Sequence, residues 1–379
     1  MNMKVKIINR ANHCISRKNI DKHALRVLYH LKKNNFQAYL VGGGVRDLLL
    51  KKQPKDFDIV TNATPHQIKN LFKRCRLIGK RFIIVHVYFF NKVIEVSTFR
   101  ANITQINNYC NHGTIIKDNI YGTLEEDVWR RDFTINALYY TIEDFSILDF
   151  TGGIQDIESG IIRVIGDTKL RYREDPIRIL RAIRFAAKLN IYINKDDLDQ
   201  IPQMINLLDH VHPRRLMEES MKLFTQVNST RIWEIIIDTK LINYLSTPLA
   251  KLLKYNKAKI INLITSIKVI NDSPNQYDVS MLFATLLWQV LENHINKNTT
   301  CKGFMKISQK IINQQLQCLE LSNYNIQEIL SIWELQIKFN KQNYDIKITN
   351  KKIYNKALLL LKVRATINPQ LIRLFHRWQ

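Results

Sequence analysis

The chain has 379 residues, 46% of them hydrophobic, enough for two or three domains with real cores and too many for a chain disordered by composition. Its formal net charge of +24 and pI of about 9.8 point to a polyanionic partner, above all nucleic acid. The five cysteines (Cys14, Cys75, Cys110, Cys301, Cys318) form no Cys-x-x-Cys, so neither a zinc framework nor a disulfide scaffold is expected, and Cys110 near His112 reads as incidental.

Reduced thiols, the lack of a leader-like apolar N-terminus and the shortness of the longest apolar run, Val279 to Leu291 with Gln289 inside it, lead us to expect a soluble, cytoplasmic protein. In chain order, residues 1–20 read as a basic, poorly structured arm. From Asp21 the spacing of Leu25, Leu28, Tyr29 and Leu31 predicts a helix capped by Asp21. Ala38–Val41 predicts a buried strand running into Gly42-Gly43-Gly44, then a short helix over VRDLLLKK and a second strand over DFDIV. Thr64-Pro65 opens a helix through TPHQIKNLFKRC, and FIIVHVYFF with KVIEVSTF predicts a hairpin turning at Asn91-Lys92. Beyond Pro176 the pattern is helical almost throughout, with no fixed-period repeat.

Four stretches can carry chemistry. In QPKDFDIVTNATP, Asp56 and Asp58 lie two apart, so on a strand both carboxylates point to one face and repel. A hard cation such as Mg²⁺ relieves that repulsion, and two ions about 3.5–4 Å apart can hold the attacking and leaving oxygens of a phosphoryl displacement. A third carboxylate then has two candidates, Glu95 on the neighbouring strand and Asp132 in RRDFTIN. In VGGGVRDLLL the glycines let backbone N–H groups approach a phosphate, with Arg46 in the first helical turn; the stretch is neither a Rossmann nor a Walker A loop. EEDVWRRDFTINALYY gathers Arg130, Arg131 and Asp132, and RYREDPIRILRAIRFAAKL predicts a helix capped by Asp175 with Arg178, Arg181 and Phe185 along one face.

In this order, GGGVRD, DFD, RRDFTINALYY, DFTGGIQD and EDPIRILRAIRFAAKL resemble the motif array of class II tRNA nucleotidyltransferases and bacterial poly(A) polymerases. At the level of phrases such as CRLIGKRFIIVHVYF, EVSTFR, SMLFATLLW and RLFHRWQ, the chain is similar to the poly(A) polymerase branch. The loop 101–117, rich in Asn where the family is often charged, departs from the pattern.

The resemblance implies an α/β head of polymerase-β-like nucleotidyltransferase type over 21–165, a helical neck over 166–255 and a helical body over 256–379. It implies Asp56, Asp58 and Asp132 as catalytic, with Mg²⁺ on Asp56 and Asp58 and Glu95 as the further carboxylate that strand geometry suggests. Gly43, Arg46 and Arg131 would contact the triphosphate of ATP, and Asp175, Arg178 and Arg181 would line the base. The implied activity is template-independent polyadenylation of RNA 3′ ends in mRNA processing and decay. A CCA-adding or A-adding tRNA enzyme is the nearest alternative, and a non-catalytic RNA-binding protein with a decayed head the second.

Overall fold

The computed structural model describes residues 5–79, 82–101, 120–254, 256–273, 278–296, 299–340 and 350–379. Cys110, His112 and the rest of segment 102–119 lie outside the described residues. The chain divides into two compact units, residues 1–178 with 191–200, and residues 179–190 with 201–379.

The first unit is built on an eight-stranded mixed sheet ordered β1-β8-β7-β2-β3-β6-β5-β4. Its strands are β1 (Lys6–Ile8), β2 (Ala38–Val41), β3 (Asp58–Thr61), β4 (Cys75–Ile78), β5 (Ile84–Phe89), β6 (Lys92–Thr98), β7 (Leu138–Tyr140) and β8 (Ile147–Asp149). A separate parallel pair, β9 (Ile161–Ile162) and β10 (Tyr192–Ile193), follows. The helices are α1 (Lys22–Lys33), α2 (Gly43–Leu49), α3 (Pro65–Leu71), α4 (Leu124–Trp129), α5 (Gly153–Ser159) and α6 (Thr168–Glu174). Helices α7 (Ile177–Leu189) and α8 (Lys195–Met204) follow in sequence.

Local chemistry explains most of these elements. Asp21 caps α1 by accepting from the His23 and Ala24 backbone N–H groups, and Thr64 with Gln67 forms a capping box ahead of Pro65. One apolar face of the sheet packs Leu40, Ile59 and Tyr140 against α1 residues Val27, Leu28 and Leu31, while the other packs Val41, Val60 and Tyr139 with Phe99 and Val128.

Three expectations are corrected. Within the expected N-terminal arm, the described residues 5–20 are not loose: β1 pairs antiparallel with β8, and Ile8, Ile15 and Ile20 are buried, so apolar anchors among the charges tie this stretch to the sheet. The helix from Pro65 stops at Leu71 rather than reaching Cys75, because Cys75–Ile78 adds to the sheet edge beside β5. The hairpin turns at Phe90-Asn91, one residue earlier than expected, with Phe89 paired to Lys92.

In the second unit the helices are α9 (Pro213–Phe224), α10 (Thr230–Asp238), α11 (Leu241–Leu245), α12 (Thr247–Leu253) and α13 (Lys257–Asn271). They continue with α14 (Val279–Glu292), α15 (Cys301–Leu316), α16 (Asn323–Phe339), α17 (Lys351–Ile367) and α18 (Ile372–Trp378). The long apolar run is α14, buried from Ser280 to Leu291, which is why it is hydrophobic all round. Among the described residues no helix is long and apolar enough to cross a membrane. Polar groups staple the bundle: Trp333 Nε1 donates to the Ala284 carbonyl at 2.9 Å, and Gln336 Nε2 to that of Ala357 at 2.8 Å.

Candidate active site

The site begins where β2 ends. Gly42 adopts φ +74° and ψ −141°, a conformation that side-chain-bearing residues avoid. A Cβ there would lie 3.7 Å from Asp58 Oδ2 and 3.9 Å from Arg131 Nη1, so the glycine turn, β3 and the segment after α4 converge at one point. Gly44 in turn lets α2 approach the backbone, since its Cβ would stand 3.3 Å from the Asp56 carbonyl oxygen.

The strand begins at Asp58, not Asp56, but the alternation still holds. Phe57 is buried in the core between the two exposed aspartates, so both carboxylates point away from it. Asp58 pairs with Val41 on one side and, on the parallel strand β6, with Glu95 on the other. Although Asp58 lies exposed at the mouth, protein crowding round its carboxyl displaces part of the water there, and the Glu95 and Asp56 charges add to that effect against the pull of Arg131, so its pKa is raised to about 6. Glu95 is half exposed and faces His86 across the hairpin at 3.4 Å.

The donor set fits a Mg²⁺-type ion: hard carboxylate oxygens from Asp56 and Asp58, whose repulsion a cation relieves. Among the described residues no cluster of three or more His, Cys, Asp or Glu groups is placed to hold a metal. The remaining ligands would therefore be water and substrate phosphates, the usual arrangement for this ion.

Arg131 is held from behind. Asp127, fully buried on α4, accepts from Arg131 Nη2 at 2.8 Å and Nε at 3.2 Å, and from Arg130 Nε at 2.9 Å. The Tyr139 hydroxyl donates to Asp127 Oδ2 at 2.7 Å and accepts from Arg131 Nε at 2.6 Å. Burial alone would raise the Asp127 carboxyl; the Arg131 and Arg130 charges and the Tyr139 hydroxyl outweigh it and hold it well below the usual range. Burial also pushes the Tyr139 hydroxyl far up, keeping it protonated as a donor. With Nε and Nη2 engaged, the Arg131 fork presents Nη1 toward Asp58 and Gly42.

Asp132 lies one residue on but faces another network. Its Oδ1 accepts from the Phe133 N–H at 2.8 Å and from Asn136 Nδ2 at 3.1 Å, and Asn136 Oδ1 accepts from Arg46 Nη1 at 2.6 Å. Arg46 is thus no open phosphate grip: it is 2% exposed, and its Nε and Nη2 donate to Asp47 at 2.9 and 2.6 Å. Its Nη2 lies 3.3 Å from where a Gly43 Cβ would be, so it supports the turn from within. The DFTGG motif is also structural: Asp149 accepts from the backbone N–H groups of Thr151, Gly152, Gly153 and Ile154, and Asp156 accepts from Thr134 Oγ1 at 2.6 Å.

The fourth stretch reaches the same segment. Asp175 precedes α7, and its Oδ1 accepts from the Ile177 N–H at 3.3 Å. Arg178 Nη2 donates to the Arg130 carbonyl at 3.2 Å and Arg171 Nη2 to that of Arg131 at 2.6 Å, with Glu174 bridging both guanidiniums. Arg178 therefore braces the Arg130–Arg131 backbone. Arg181 belongs to the second unit, over the Phe185 ring at 5.4 Å. Asp127, Tyr139, Arg171 and Glu174 were not singled out in the sequence, although the i,i+4 spacing of Asp127 and Arg131 would have identified the first.

A mixed sheet with paired aspartates at a strand mouth, a facing arginine and a glycine turn defines a nucleotidyltransferase of the polymerase-β type, a class that generally uses divalent metals. Residues 38–163 match the family model described as poly A polymerase head domain, and residues 191–253 match that of a probable RNA and SrmB-binding site of polymerase A. The chain is 38% identical to the poly(A) polymerase I of Salmonella typhimurium over 98% of its own length and 84% of that protein's. It belongs to the bacterial poly(A) polymerase family. A CCA-adding enzyme of Bacillus velezensis is 36% identical over 59% of this chain and 55% of its own. The solved Bacillus stearothermophilus CCA-adding enzyme in complex with CTP is 25% identical, covers 93% of this chain and 82% of its own, and superposes with a TM-score of 0.68.

Proposed function

We propose that this chain extends RNA 3′ ends without a template, transferring AMP from ATP and releasing pyrophosphate, as a cytoplasmic polynucleotide adenylyltransferase in mRNA processing and decay. The observation that carries the reading is the meeting of Asp58 and Arg131 Nη1 at the Gly42 turn, in a chain similar to a poly(A) polymerase I over 98% of its length.

The RNA 3′ hydroxyl attacks the α-phosphorus of ATP, and the bond to the pyrophosphate oxygen breaks. Asp56 and Asp58 would hold Mg²⁺, with Glu95 the carboxylate that shares Asp58's field; when bound, Mg²⁺ would neutralise charge that develops on the phosphate oxygens. Arg131 presents Nη1 to the triphosphate, and Gly43 lets the chain approach it, with Arg46 underneath. Asp132 takes part in the catalytic array by fixing Asn136 and, through it, Arg46. Asp175 offers an acceptor to the base, Arg178 fixes the segment beside it, and Arg181 joins them on the strength of its motif alone. Catalysis is thus mainly positioning and charge neutralisation. Segments 166–255 and 256–379 hold the RNA largely through phosphates, so affinity falls as salt rises.

The second reading, a CCA-adding or A-adding enzyme, is favoured by the solved relative of that type. One assay separates them: an oligo(A) primer with ATP, against a tRNA ending before CCA with CTP and ATP. Long homopolymer on the first substrate supports polyadenylation, and C-C-A addition confined to the second overturns it. No product on either, with RNA still bound, points to a non-catalytic RNA-binding protein.

A further inference from the structure

A second cleft lies in the sheet unit, on the other side of the sheet from Asp58. Tyr139 packs with Val41 and Val60, the face toward which Asp58 alternates, whereas the next residue, Tyr140, packs with Leu40 and Ile59 on the opposite face. There a cavity of about 460 Å³ is lined by Arg10, Arg17 and Lys18 from the N-terminal segment, Tyr29 from α1, and Tyr140 and Phe145 from β7 and the turn after it. Its volume suits a mononucleotide.

Independent features give the cleft a ligand chemistry. Its rim carries three cations, and of the two acids just before Phe145, Glu143 is paired with Lys32 and Asp144 accepts from the Ser146 N–H. Arg17 lies over the Phe145 ring at 4.4 Å and donates to the Tyr29 hydroxyl at 3.2 Å, so guanidinium and aromatic surfaces are held together. Tyr29 is 43% exposed, an open ring face. Tyr140 has no exposed surface, and its hydroxyl finds no hydrogen-bond partner among the described residues. An orphaned buried hydroxyl is costly unless something else satisfies it. Burial raises this phenol, and the Arg10 and Arg17 charges pull it down, which places both guanidiniums within its electrostatic reach.

We propose that this cleft binds a phosphorylated nucleoside, supplied by a strand of RNA, with the phosphate on Arg10, Arg17 and Lys18 and a base against Tyr29. Cations that track a backbone beside aromatic rings are the general design for single-stranded nucleic acid. The β1–β8 pairing and the His13 ring, whose Nε2 lies 2.8 Å from the Phe145 carbonyl oxygen, hold the N-terminal segment in place to form the wall. The apolar anchors Ile8, Ile15 and Ile20 serve the same end.

The test compares the intact protein with an Arg10→Ala/Arg17→Ala double variant and with Tyr140→Phe, which removes one atom and keeps the fold. Anisotropy of a fluorescent oligo(A) reports RNA binding, and equilibrium dialysis reports how many AMP molecules bind. The double variant is expected to weaken oligo(A) binding about tenfold and to flatten its log–log salt dependence by about 0.7 for each phosphate that is no longer neutralised. The rate of extension at saturating primer stays unchanged. Tyr140→Phe is expected to raise the melting temperature of the free protein, because the orphaned hydroxyl is gone, and to leave oligo(A) affinity unchanged, because that hydroxyl has no surface for a ligand to touch. Loss of one AMP equivalent with oligo(A) affinity untouched makes a free nucleotide the occupant, and the phosphorylated-nucleoside site stands. If the double variant binds both probes as the intact protein does, the proposal is overturned. These are binding readouts, so they are decided separately from the catalytic reading.

Discussion

In the sheet unit Arg46, Asp127, Arg171 and Arg178 are almost fully enclosed, and in the helical unit so are Glu219, Glu328 and Arg364. The two sets differ in where their hydrogen bonds end. Lys356 donates to Asp278 Oδ2 at 2.6 Å and to Glu328 Oε2 at 2.5 Å, and Ser280 also bonds Glu328, so α14, α16 and α17 are pinned by charges facing one another. In the sheet unit the chain of bonds through Asp127 and Tyr139 stops one donor short, leaving Arg131 Nη1 toward the carboxylate mouth. Buried charge by itself does not mark a functional site; a network that holds a group in place and leaves one of its atoms facing outward does.

Breaking the open network at its mouth has the largest effect. Asp58→Ala is expected to lower AMP incorporation by more than about 10³-fold in single-turnover primer extension while RNA affinity is kept. Extension at a normal rate would end the assignment of the metal to this pair. Breaking the closed network acts on stability instead: Glu328→Ala leaves Lys356 with Asp278 as its one close carboxylate partner and is expected to cost about 1–3 kcal/mol in denaturant unfolding. The rate per folded molecule should be unchanged at a temperature where the variant remains folded. Behind the open site, Asp127→Asn keeps the shape but releases the Arg131 fork; kcat/KM for ATP should fall about 10²-fold with the melting temperature lowered. Tyr139→Phe removes the two bonds that its hydroxyl makes in the same set, to Asp127 and from Arg131 Nε, and should cost about fivefold.

The smallest effect sharpens the comparison through pH. The Asp58 pKa is raised to about 6 in the folded chain, so the folded state favours its protonated form. The stabilisation this gives is full below the ordinary carboxylate range and is lost as pH rises through about 6. Without divalent metal, Asp58→Asn should therefore melt higher than the intact protein at pH 8 and nearly level with it at pH 4. Protons and metal compete for the same carboxylate, so activity should fall below about pH 6 at limiting Mg²⁺, and added Mg²⁺ should move that limb to lower pH.

What the sequence determined was local. The Asp21 and Thr64 caps, the Gly42 turn and the alternation of Asp56, Phe57 and Asp58 are readable because each depends on residues within a turn or a strand of one another. The order of the motifs was enough to indicate the family. The tertiary structure decided what depends on residues far apart in sequence. Lys6–Ile8 became a strand because β8 offered an edge, and Cys75–Ile78 left the helical pattern because β5 did. Arg46 and Arg178 looked like ligand contacts in the sequence, yet they are drawn inward by Asn136 and by the Arg130 carbonyl, 90 and 48 residues away. Which guanidinium remains open is set by the partners folding brings to the others, and linear spacing carries no record of those partners.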